Sequence, residues 1–424
     1  MKTTTIKKSK RLIISLLLLS MIQLPPLLAQ EPLENFFSIS GVVRDQVTKK
    51  TLPFIDISVP GTNIGTVTNQ DGFFLLKIGE DVAVNEVLIS SMGYVSIRIP
   101  VKEKTDKLNG IYFLFAGVHT LDPAVVEGWD ALRLVEEAVK RIQTNYSVSP
   151  ILLTGFYRET AQKRGRFINV SEAVMSINKT AYGDGVVTRD RVQIVKGRQL
   201  VSTKPSDTLG VRILGGPNIS IFLDVVKNTD LLLDEEARSL VQFKMEPATV
   251  IDARPQYVVS FRPVVEKPYA LHFGTFYIDR ETLAFTRAEF FLDMSNIGKA
   301  TEAILRKKPA GMRFKPTELY VLVNYKQLDG KTHLSYIRNE MKFSCDWKRR
   351  LFSTNYTAIS EMVVTERSDR DFMPISRSSA FGLSESLSTK VSHFYDENFW
   401  GAYNIIEPTE SLESAVSKLK RQQR

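Results

Sequence analysis

The sequence predicts a mainly β protein built in two parts: an N-terminal β-sandwich and a larger β-rich domain with a few helices. Three observations carry this. Residues 37–116 hold short period-two or β-branched runs separated by turn residues. Residues 152–366 hold longer runs of the same kind, while helical spacing is confined to a few short stretches. Of the 424 residues, 43% are apolar and 10% aromatic, which is enough for sizeable cores and excludes wholesale disorder.

The chain opens with an export segment, residues 1–29. Lys2, Lys7, Lys8, Lys10 and Arg11 form a basic start without an acid. Residues 12–22 are apolar apart from Ser15 and Ser20, too short to span a bilayer, which takes about 20 residues. Pro25 and Pro26 end the run, and Ala29 offers a cleavage point. No cysteine lies nearby to carry a lipid, and no later stretch is apolar enough to span. The mature chain is expected outside the cytoplasm without a transmembrane segment.

Runs at 39–44, 54–59, 73–78, 84–90, 95–101 and 111–115 read as strands of the first domain. Pro60-Gly61-Thr62-Asn63, Asn69-Gln70-Asp71-Gly72 and Met92-Gly93-Tyr94 separate some of them, with Gly61 and Gly72 expected at positive φ.

The same residues carry a resemblance. Ile39-Ser40-Gly41-Val42-Val43-Arg44-Asp45, Leu52-Pro53-Phe54, the stretch from Pro60 through Gly65-Thr66 to Asp71-Gly72-Phe73-Phe74, and Ile89 to Gly93-Tyr94 follow in order. Together they resemble the carboxypeptidase regulatory-like domain. That resemblance implies a transthyretin-like, seven-stranded β-sandwich over residues 37–116, of a kind found on exported bacterial proteins, and no catalytic residues. Asn69 stands where the family more often has aspartate. Asn69 and Asp71 therefore read as turn formers, since two side chains fall far short of a calcium shell of 6–8 oxygens.

Residues 117–128 read as a linker. Asp130 then caps a helix whose apolar positions Leu132, Val135, Val139 and Ile142 recur at steps of three and four. The β-rich domain is assigned to residues 129–424. Strands are expected at 152–160, 166–177, 189–196, 240–245, 257–263, 274–278, 282–292, 317–325, 331–343 and 353–366. Asp329-Gly330 is the strongest hairpin signal, and Asp279-Arg280-Glu281-Thr282 marks another turn. These long strands suggest one large antiparallel sheet, with short helices at 231–239 and 410–420. About 300 residues are too few for a 22-stranded transporter barrel, and no aromatic girdles repeat.

Tyr257…Phe261, Tyr277-Ile278-Asp279-Arg280-Glu281-Thr282 and Arg287-Ala288-Glu289-Phe290 loosely resemble periplasmic lipoprotein carriers. That resemblance implies a half-barrel over a helix that holds lipid chains. Gly155-Phe156-Tyr157-Arg158-Glu159 and residues 396–408 are similar to an exported type that joins such a region to the sandwich.

Two strings are candidate binding residues. Alternation in Phe156-Tyr157-Arg158-Glu159 places Phe156 and Arg158 on one face and Tyr157 and Glu159 on the other. Arg158 and Glu159 either grip a carboxylate or head group in a cleft or sit in a cross-strand ion pair. Phe394, Tyr395, Phe399, Trp400 and Tyr403 form either a binding patch or the pins of a C-terminal segment.

Catalytic chemistry is not visible. His119, His272, His333 and His393 lack zinc-peptidase spacing, and one cysteine, Cys345, can form neither an intrachain disulfide nor a thiolate cluster. Cys345 is expected to be a small buried apolar residue. No cofactor or metal is expected. The net charge of +9 arises from the export segment and the basic tail after residue 417; between them acids and bases balance, which removes the case for nucleic acid. The leading expectation is a non-enzymatic envelope protein of a Gram-negative cell. It would lie in the periplasm or on the periplasmic face of the outer membrane, and join a sandwich adaptor to a region that binds an outer-membrane or periplasmic protein. A carrier of lipid or another hydrophobic ligand and a hydrolase are the alternatives.

Overall fold

In the computed structural model the described residues are 35–117, 129–184, 190–207, 211–213, 216–251, 254–347, 353–369, 372–382, 385, 387, 390–393 and 399–423. The expected export segment 1–29, residues 118–128 of the expected linker, His119, Phe394 and Tyr395 lie outside them.

Seven strands make the sandwich: β1 (Phe36–Asp45), β2 (Asp56–Ser58), β3 (Gly65–Val67), β4 (Phe73–Gly79), β5 (Glu86–Ser90), β6 (Ile97–Pro100) and β7 (Lys107–Leu114). They pair as a three-stranded sheet, β4-β1-β7, and a four-stranded sheet, β3-β2-β5-β6. Strand β3 has three residues, too few to show alternation in sequence. Between the sheets Ile39, Ile57, Phe74, Leu76, Ile78, Val87, Ile89 and Leu114 are fully buried. Gly61 and Gly72 sit at φ +74° and +77°. A Cβ on Gly72 would lie 2.9 Å from Val43 O, so that turn excludes a side chain on two grounds.

The remaining strands are β8 (Ile151–Lys163), β9 (Arg166–Lys179), β10 (Arg191–Val201), β11 (Arg212–Ile213), β12 (Val241–Ile251), β13 (Arg254–Pro263), β14 (His272–Asp279), β15 (Phe285–Leu292), β16 (Leu305–Lys307), β17 (Met312–Leu328), β18 (Lys331–Trp347), β19 (Thr354–Ser368) and β20 (Ser392–His393). Apart from the small β11–β16 pair they form one sheet, in the order β12-β13-β14-β15-β17-β18-β19-β8-β9-β10-β20. Every pairing is antiparallel except β10 with β20. The β17–β18 hairpin turns at Asp329-Gly330, with φ +51° and +74°, the backbone that a two-residue type I′ turn needs.

The helices are α1 (Ala131–Lys140), α2 (Ile142–Asn145), α3 (Pro217–Phe222), α4 (Glu235–Ser239), α5 (Ile297–Ile304) and α6 (Glu410–Gln423). Asp130 caps α1 by accepting from the backbone N–H of Leu132 and Arg133. The apolar stripe of α1 is rotated from the sequence expectation. Ala131, Leu134, Val135 and Ala138 are buried, and Leu132 is 40% exposed, because the small alanines let the helix lie close to its neighbours. One face of the sheet packs against α1, α2 and the crossover from β10 to β12 that contains α3 and α4. The other face packs against Phe54 and Val67 of the sandwich and the segment 399–406. No described helix is long and apolar enough to cross a membrane.

Candidate functional site

Strand alternation divides the candidate residues. Arg158 projects with Phe156, whereas Glu159 shares the helix-covered face with Tyr157, whose hydroxyl donates to Glu159 Oε2 at 3.1 Å. Burial pushes the Glu159 carboxyl up to about 7, and the tyrosine bond opposes it.

Arg158 lies in a packed seam. Its Nε donates to Glu172 Oε1 at 2.7 Å across β8 and β9, and its Nη2 donates to Ile406 O at 2.7 Å. Glu172 also accepts from Arg198 Nε at 2.8 Å. Burial alone would raise the Glu172 carboxyl, but Arg158 and Arg198 outweigh it and hold the group low. Arg198 stacks 4.9 Å from the Trp400 ring, and Trp400 meets Phe156 edge-on at 5.3 Å. Tyr403 is half-buried beside them.

Residues 401–410 also tie the sandwich to this seam. Asn404 acts like one rung of a strand, accepting from Lys77 N at 2.8 Å and donating to Lys77 O at 2.9 Å. Thr66 Oγ1 donates to Ile405 O, and Asn69 Nδ2 donates to Pro408 O. Asn69 Oδ1 accepts from the backbone of Asp71 and Phe73, and Asp71 Oδ2 accepts from Glu410 N at the start of α6. Both side chains are turn and strap residues. Phe54 adds a ring stacked 6.1 Å from Tyr336, with Arg338 at 4.7 Å, and Lys326 pairs with Asp56 at 2.9 Å.

A concave site lies along β10, next to this seam. Phe381 N donates to Val192 O, and β20 takes up the edge again at Arg198 and Gln199. Between them β10 bulges, with Val195 as the extra residue between Ile194 and Lys196. The resulting groove has a volume of about 540 Å³, within the range of small-molecule sites. Residues 193–197 form one wall, Ser378, Ser379 and Phe381 another, and Glu385, Lys390 and Phe399 complete it. Lys196 Nζ lies 4.5 Å from the Phe399 ring centroid, and Lys390 pairs with Glu385 at 2.8 Å. The lining offers aromatic faces, hydroxyls and a lysine over a ring. It can hold a ligand with an apolar body and a polar or anionic end. Sequence reasoning reached Phe399 but missed the rest, because the bulge and the return of Phe381 and β20 to β10 are products of pairing.

A second polar centre sits within the helix-covered core. Lys179 Nζ lies 2.7 Å from Asp224 and 3.3 Å from Asp190, all with no side-chain exposure. Tyr182 and Tyr325 donate to Asp224 at 3.0 and 2.8 Å. Burial opposes the Lys179 charge, but the two aspartates outweigh it and raise its pKa. Burial lowers His272 and His333 to about 4, His272 against Phe290 and His333 against Arg367. Cys345 is buried, and that burial pushes its thiol up to about 11.

Residues 39–126 match the CarboxypepD_reg-like domain family. Among curated proteins none matches the chain. Solved structures with remote likeness include a DUF1329 family protein from Desulfovibrio piger, at 12% identity, 56% of this chain, 94% of that chain and TM-score 0.23. An outer membrane lipoprotein-sorting protein domain from Vibrio parahaemolyticus gives 11%, 56%, 91% and 0.24. A LolA superfamily protein from Nitrosomonas europaea gives 9%, 58%, 96% and 0.21. Likeness at this level carries no statement about function.

Proposed function

We propose that this is a non-enzymatic, exported envelope protein that binds a partner or ligand in the β10 groove and uses the sandwich as a rigid adaptor. The single observation behind the binding role is the groove along β10, bulged at Val195 and lined by Phe381 and Phe399. The adaptor role is supported by the seam, where side chains of both parts and the 401–410 segment interlock. The location is the periplasm or the periplasmic face of the outer membrane, and the partner an envelope protein.

The test places a photo-crosslinking amino acid at Val195 in intact cells. A specific, reproducible adduct in the envelope fraction is the expected result; an unmodified chain after irradiation counts against the groove. A lipid carrier would instead hold chains between α1 and the sheet. There Leu134, Val135, Tyr146 and Phe276 are already fully buried against one another, which favours the groove. A lipid adduct in native mass spectrometry of the purified chain would reverse that preference.

A further inference from the structure

The sandwich has an edge that the seam does not use. Strand β7 is the terminal strand of its sheet and pairs with β1 alone. Gln46 N donates to Leu114 O and Val95 N donates to Phe115 O. This phase turns the backbone groups of Gly110, Tyr112 and Leu114 toward β1, and those of Ile111 and Phe113 away from it. Among the described residues no hydrogen bond meets Ile111 or Phe113 on that side.

Side chains follow the same alternation. Leu114 and Tyr112 point into the sandwich core. Ile111 is 63% exposed, and Phe115 and Leu108 are 55% and 56% exposed. Phe113 carries Lys49 Nζ at 4.6 Å from its centroid. The run Gly110-Ile111-Tyr112-Phe113 contains no charge or proline, although folded proteins protect free edges with such residues. Tyr112 also packs closely over Gly41 and Gly110: a Cβ on either would fall within 2.6 Å of its ring.

We infer that the open edge of β7 takes an extended segment of a partner protein by strand addition, which rests on the adaptor reading above. The segment supplies backbone groups to Ile111 and Phe113, alternating apolar side chains beside them, and acidic residues at its ends. Lys49 stands over Phe113 and Lys107 opens β7, while Asp106 accepts from Ser38 N of the neighbouring strand. This balance attracts an acidic strand and opposes pairing with a second copy of the same edge.

The probe is a fluorescent peptide, Glu-Glu-Val-Thr-Val-Thr-Val-Glu-Glu, titrated against the whole mature chain. Saturable binding is expected. N-methylation at alternate residues and the surface change Ile111→Asp should each weaken it at least tenfold, with lysine in place of glutamate weakening it too. The groove variant Lys196→Glu should leave it unchanged. Absence of saturable binding, or equal binding of the N-methylated peptide, overturns the inference. So does self-association that Ile111→Asp abolishes. If Lys196→Glu alone destroys binding, the peptide sits in the groove, and the inference fails while the proposed function stands. If instead the Val195 crosslink yields nothing while β7 binds as expected, the groove fails alone.

Discussion

Arg158 and Glu172 lie 2.6 Å apart across β8 and β9, with side-chain exposures of 5% and 2%. The pair is stabilising only while complete, because removing one partner leaves an uncompensated buried charge. Glu172→Ala strands both Arg158 and Arg198, so it should cost about 3–5 kcal/mol. Arg158→Met leaves Glu172 paired with Arg198 and should cost less. Urea unfolding of the two variants checks the order, and equal losses would show that Arg198 does not compensate Glu172 once Arg158 is gone.

Trp400 is 5% exposed and packs between Phe156 and Arg198. Trp400→Ala should cost about 3–5 kcal/mol as a large-to-small change and should loosen residues 399–410. Limited proteolysis should then release the C-terminal segment before the sheet is cut. The indole N–H has no hydrogen-bond partner among the described residues, so Trp400→Phe should retain most of the stability. A phenylalanine variant as unstable as the alanine variant would contradict the packing argument.

Lys179 and Asp224 show where sequence reading ends. The ten long strands are legible because each alternates over many residues, and Asp329-Gly330 is legible because its turn needs φ above zero at both positions. Helix α5 carried a signal that spacing alone could have found: Asn296 accepts from Lys299 N ahead of buried Ala300 and Ile304. Strands β3, β11 and β20 have two or three residues and show no period. Lys179, Asp190 and Asp224 meet only after the β10–β12 crossover folds back, so no local pattern joins them. Arg158 is legible as a sheet residue, but its bond to Ile406 O spans 248 positions.

The same buried cluster makes a prediction. Lys179→Met leaves Asp190 and Asp224 without their shared cation and should cost about 3–5 kcal/mol. Asp224→Asn in that background removes one of the two stranded charges and keeps an acceptor for one of the two tyrosines, so part of the loss should return. A double mutant no more stable than Lys179→Met would show that the loss is one of packing. Thermal melts of the three variants at one pH decide it.

Two carboxylates give the seam opposite pH dependence. Burial pushes Glu407 from 4.5 up to about 7, despite Lys77 and Arg158 nearby. Between those values the folded chain holds a proton that the unfolded chain releases, so stability falls as pH rises through that window. Glu172 has a lowered folded pKa, so its contribution is present above about pH 4.5 and lost as pH falls toward its folded value. The two effects together place the seam's greatest stability at about pH 4.5, where the two windows meet. Glu407→Gln should flatten the fall between about pH 4.5 and 7 and gain about 1–3 kcal/mol at pH 8, the range allowing for residual water at this half-buried group. Glu159, also pushed up to about 7, adds a loss of the same sign, so the double glutamine variant should be flatter still. Urea midpoints at pH 5, 6.5 and 8 measure it, and an unchanged slope in the double variant would place the titrating groups elsewhere.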